Sequence, residues 1–184
     1  VDMARSDPAA YLEQALLIEM LMRVRLRHGG ELTKLHTLLQ DACQKALLAS
    51  PELPGAYILL GSAESMLAEQ LAERGDDPSQ PLKRGMQAIE QTLLREPNST
   101  AGRLLGNRLR KLEATYLIEH GQDPAAAFQT AVEQAHTAVR AVEKSAWLWD
   151  DLGAVYLLRA EYELEHGEDP STALKEARAA FEHA

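Results

Sequence analysis

A four-residue pattern returns along this chain at a fixed interval of 46 residues: Gly75-Asp76-Asp77-Pro78, Gly121-Gln122-Asp123-Pro124 and Gly167-Glu168-Asp169-Pro170. One further step back from Gly75 lands on Gly29. A strict period of this length means a stack of similar units, each burying a face against the next. The tetrapeptide also reads as local structure. Glycine ends a helix because it enters the left-handed conformation at little cost. Asp then caps the next helix, and Pro follows at its first position, where a missing N–H is harmless. So short a loop makes the flanking helices antiparallel.

Residues 9–28, 56–74, 102–120 and 148–166 carry apolar side chains at three-to-four spacing before each loop. Second helices are expected at about 33–49, 78–95, 124–142 and 170–184. Turns such as Ser50-Pro51-Glu52-Leu53-Pro54 and Glu96-Pro97-Asn98-Ser99-Thr100 separate the units. No segment alternates with period two for long enough to be a strand. The expectation is one all-α domain over 1–184, built as four hairpins with units at 8–53, 54–99, 100–145 and 146–184.

Composition narrows the function classes. A net charge of −9 argues against a nucleic-acid backbone or an anionic membrane as the main partner. Aromatic residues make up only 5%, which favours helices over sheets. Cys43 is the single cysteine, so no internal disulfide can form, and its place on a second helix reads as a small buried hydrophobe. The apolar run from Ala15 to Met22 is interrupted by Glu19, and no transmembrane helix or signal peptide is evident. These features favour a soluble, cytoplasmic chain, and Val1 in place of an initiator Met points to a fragment of a longer protein.

The motif Trp149-x-x-Leu152-Gly153-x-x-Tyr156 with Ala177-x-x-x-Phe181 resembles the two-helix signature of the tetratricopeptide repeat. Tyr57-x-x-Leu60-Gly61 and Gly85-x-x-x-Ile89, closed by Pro97, repeat the phase in the second unit. The third unit departs, with Asn107 at the glycine position beside Gly106, and the first has Ala15 there with Leu39, Cys43 and Pro51 in phase. The resemblance implies a right-handed α-α superhelical solenoid. The family repeat is about 34 residues, so each unit here holds about 12 more, lodged around the Gly-x-Asp-Pro turn. Each helix then gains about six residues, roughly 9 Å of length. HEAT and armadillo repeats are of similar length but lack the signature. The lengthened unit also resembles, more weakly, repeats that follow the catalytic domain of some bacterial serine/threonine kinases.

The family resemblance implies that the first helices line a concave, peptide-binding surface. Its phases fall on Leu12, Leu16, Glu19 and Met20, then on Ile58, Ser62, Ser65 and Met66. They continue on Leu104, Arg108, Lys111 and Leu112, and on Trp147, Asp150, Ala154, Leu157 and Leu158. Arg103, Arg108, Arg110 and Lys111 form a basic cluster, and Arg108 and Lys111 share a face. That pair could clamp a carboxylate of an acidic peptide, although the Lys/Asn set of the family's carboxylate clamp is not reproduced. The competing reading pairs them with acids of neighbouring units. Trp149 fits the core phase, and Trp147, about 200° away around the helix, falls on the groove or an interface.

His120 and His166 precede loop glycines, where a cation suits a helix C-terminus; a metal site is not expected there. Asp76-Asp77 caps a helix and lacks calcium-loop spacing. No nucleophile elbow, P-loop, dinucleotide fingerprint or HExxH is present. The reading is a non-catalytic, cofactor-free interaction scaffold for a protein or peptide. The alternative is a regulatory or sensor repeat segment of a bacterial multidomain enzyme such as a serine/threonine protein kinase, binding an effector or mediating self-association. A final unit without a polar capping helix adds the expectation of a homodimer through that end.

Overall fold

The computed structural model describes residues 7–184. Among them are eight α-helices and no strand: α1 (Pro8–Arg27), α2 (Thr33–Ala49), α3 (Pro54–Glu73), α4 (Ser79–Arg95), α5 (Thr100–Glu119), α6 (Ala125–Ala141), α7 (Ala146–Glu165) and α8 (Ser171–His183). The all-α, four-hairpin expectation holds. The chain divides into two compact units, Val1–Pro97 and Asn98–Ala184, each made of two hairpins. In the first, α1 packs on α2, α3 on α4, and α3 also lies against both α1 and α2. The second repeats this arrangement with α5 to α8.

Every first helix is 20 residues long, whereas α2, α4 and α6 have 17. The first helices also begin earlier than expected, at Pro8, Pro54, Thr100 and Ala146. Pro54 occupies a first-turn position whose N–H would be orphaned anyway. Ser99 accepts from the Gly102 N–H at 3.4 Å and so caps α5.

The recurring turn keeps its glycine stop and its Asp acceptor, but Pro78, Pro124 and Pro170 stand at the N-cap and not at the first helical position. Gly29, Gly75, Gly121 and Gly167 all have φ between 64° and 75°. Paired backbone bonds close each helix end: the Gly121 N–H reaches the Ile118 carbonyl at 3.0 Å and the Gln122 N–H reaches Leu117 at 2.8 Å. Asp77, Asp123 and Asp169 then accept the N–H two residues on, at 2.8, 2.9 and 3.0 Å. The first loop lacks Asp-Pro, yet Glu31, one period before Asp77, accepts from the Thr33 N–H at 3.1 Å. Thr33 and Arg74 both donate to Glu31, whose carboxyl is held at about 2.

Alanine-rich faces bring the helices close. In the first unit Ala15, Met22, Leu39, Ala42, Ala56 and Ala63 are wholly enclosed. Met22 and Leu39 are the large members, each worth roughly 2 kcal/mol by transfer from water. Leu148, Leu152 and Val155 of α7 fill the equivalent space in the second unit, against Ala131, Ala135 and Ala138 of α6. Cys43 is buried, as its phase predicts.

Candidate functional site

The aromatic residues of the signature tie the turns between hairpins to the first helices. Trp149 donates its indole N–H to the Glu143 carbonyl at 2.9 Å, six residues upstream. Tyr57, two periods earlier, donates its hydroxyl to the Pro51 carbonyl at 3.4 Å, also six residues upstream. Tyr156 shares a 2.8 Å hydrogen bond with His136 of α6. Gly153 is pressed against the Phe181 ring: a Cβ there would lie 2.5 Å from Cε1. The close partner on α8 is thus the aromatic member of the signature, four residues beyond Ala177.

On α1 and α3 the expected groove residues separate into two sets. Leu16 and Met20 are exposed, and Leu12 is half-buried against the core. Glu19, Ser62, Ser65 and Met66 are buried. Ser62 donates to the Glu19 carboxylate at 2.7 Å, and Arg23 closes on the same oxygen from the next turn of α1. Met66, only 2% exposed, belongs to the core. Ser62 and Met66, expected on the partner-binding surface, are buried where neighbouring first helices close on this face. Ile58 is half-buried.

On α5 and α7 the members of the basic cluster differ in exposure. Lys111 donates to Asp151 of α7, and the Asn107 amide donates to the other oxygen of the same carboxylate at 2.6 Å. Arg110 pairs with Glu113 at 2.8 Å, and Arg103 is half-buried. Arg108 stays exposed. The competing reading, pairing with acids of a neighbouring unit, thus describes Lys111. Leu104, Leu112, Ala154 and Leu158 are half-buried, while Asp150 and Leu157 are exposed. Trp147, in the first turn of α7, is 73% exposed.

The histidines before the loop glycines cap helices. His120 Nδ1 lies 2.9 Å from the Tyr116 carbonyl and His166 Nδ1 2.9 Å from that of Tyr162. Each ring also packs on that tyrosine, with centroids 4.1 Å apart. Among the described residues no group of three His, Cys, Asp or Glu side chains could hold a metal, and no helix is long and apolar enough to cross a membrane.

Two buried polar clusters were not singled out from the sequence. Glu64 of α3 receives Arg84 at 2.9 Å on each oxygen and Gln40 at 3.1 Å. His36 Nε2 lies 3.1 Å from the same carboxylate, without an aligned hydrogen bond. Burial pushes the Glu64 carboxyl up, but His36 and Arg84 outweigh it and hold it below its ordinary value. Gln70 accepts from the Leu32 N–H at 3.1 Å and donates to the Gly30 carbonyl at 2.7 Å, stitching α3 to the first loop. The available signal was a polar residue at an apolar helical phase, as Glu64 is within residues 59–68.

These features define the class as an all-helical hairpin repeat with internally paired polar seams. The sequence matches no protein-family model, and no curated protein is detectably similar to it.

Proposed function

We propose that this chain is a tetratricopeptide-like, non-catalytic scaffold that holds a peptide or a segment of a partner protein on its first helices. The repeated aromatic-to-carbonyl bond of Tyr57 and Trp149 supports the tetratricopeptide resemblance. The observation that carries the binding reading is Trp147, 73% exposed in the first turn of α7. Asp150 is exposed one turn further on, and Leu104 stands one period earlier on the neighbouring α5. A large rigid aromatic side chain held in water is the residue type that dominates binding energy when a partner covers it. The ligand is a segment offering an apolar residue to Trp147. With Lys111 held by Asp151 and a net charge of −9, a basic neighbour suits Asp150 better than an acidic one.

Peptides selected on the intact chain from a displayed random library test the reading. Trp147→Ala should weaken the selected peptides by about 30-fold, the loss expected of an interface hot spot near 2 kcal/mol. Asp150→Lys should weaken the basic ones selectively. Affinities unchanged by Trp147→Ala would remove this reading.

A further inference from the structure

In a repeat, residues one period apart should meet the same surroundings, and on α1 and α8 they do not. Leu17, Met20 and Val24 of α1 are exposed. Their counterparts 46 residues later on α3, Ala63, Met66 and Gln70, are all buried, because α1 and α2 lie against α3. On α8 the asymmetry is reversed. Leu174 and Phe181 are 47% and 41% exposed, and with Leu157, Ala177, Arg178 and Glu182 they line an apolar groove of about 380 Å³. Their counterparts 46 residues earlier on α6, Phe128 and Ala135, are buried. There α7 supplies the cover: Tyr162 meets the Phe128 ring at 5.6 Å, Leu158 packs beside it, and Val155 joins the Ala135 cluster. Those three α7 residues stand three periods after Val24, Met20 and Leu17.

We propose that the exposed faces of α1 and α8 are the two halves of one interface, and that α1 of a second copy of this chain seats on α8 as α7 seats on α6. The occupant follows from the repeat itself: α1 carries, at the matching positions, apolar side chains equivalent to those that cover α6. Such a contact joins two different surfaces and is therefore heterologous, so it propagates head to tail unless a ring closes. It differs from a symmetric dimer made through α8 alone. Trp147 is not part of it, so the peptide-binding reading and this one can fail separately.

Light scattering and sedimentation velocity on the intact chain, from about 1 to 200 μM, give the test. The mass-average species should grow past the dimer as concentration rises. A head variant, Leu17→Glu/Met20→Glu, and a tail variant, Leu157→Glu/Leu174→Glu, change only exposed positions, and circular dichroism should show both folded. Each alone should be monomeric, with association weakened more than tenfold, while an equimolar mixture should form a heterodimer that stops at two chains. Trp147→Ala should assemble like the parent. A parent that is monomeric throughout leaves both faces to a different protein and overturns the proposal. So does a head variant that still dimerises, which would mean an α8–α8 contact, or a mixture that stays monomeric.

Discussion

Asp151 of α7 accepts from Lys111, forty residues earlier on α5, and the pair joins the two first helices of the second unit. The carboxylate is nearly enclosed and takes Asn107 as well. Removing it leaves a half-buried ammonium and a buried amide without a shared acceptor. Asp151→Ala should lower the unfolding free energy by about 2 kcal/mol, read from urea denaturation. A loss under about 0.5 kcal/mol, the level of exposed pairs, would show that the pair does not join the helices.

The Glu64 cluster makes stability depend on acid. The folded carboxyl lies below its ordinary value of 4.5, so its contribution is fully present above that pH and is lost as pH falls through the lower folded value. The parent should therefore lose stability on acidification below about pH 4.5, and Glu64→Gln should flatten that part of the curve while lowering stability at pH 7. Parallel pH profiles for the two proteins would contradict this account.

The loop glycines are needed for conformation, not for space. Gly75, Gly121 and Gly167 have positive φ, and nothing lies within 4 Å of the position a Cβ would take. Alanine at any one of them should cost about 1 kcal/mol from left-handed strain, and Asn should cost less, because it tolerates that region. Thermal unfolding of Gly121→Ala and Gly121→Asn checks the order. Equal losses would point to a role other than backbone conformation.

Burial pushes the Cys43 thiol up to about 12. At pH 8 the native thiolate fraction should be more than about 100-fold below that of a free cysteine. Ellman's reagent should therefore modify Cys43 only as fast as the chain opens, and urea should accelerate the reaction. Immediate labelling of the folded chain would mean the first hairpin is far looser than its packing implies.

Sequence by itself determined the helices and their turns. A left-handed glycine, an Asp cap and a Pro at the helix start act within a few residues of one another, so Gly121, Asp123 and Pro124 carry their geometry wherever the rest of the chain goes. The period then placed every other hairpin, including the first, where Glu31 replaces Asp as the cap acceptor. What only the tertiary structure decided was which side of each long helix meets another helix. Ser62 and Met66 share a repeat phase with exposed Leu16 and Met20, and Lys111 lies on the same face, so helical angle alone cannot separate them. Their partners, Glu19 for Ser62 and Asp151 for Lys111, stand about forty residues away on the neighbouring first helix. Burial there depends on how closely two 20-residue helices approach along their length, a property of packed surfaces and not of local conformation.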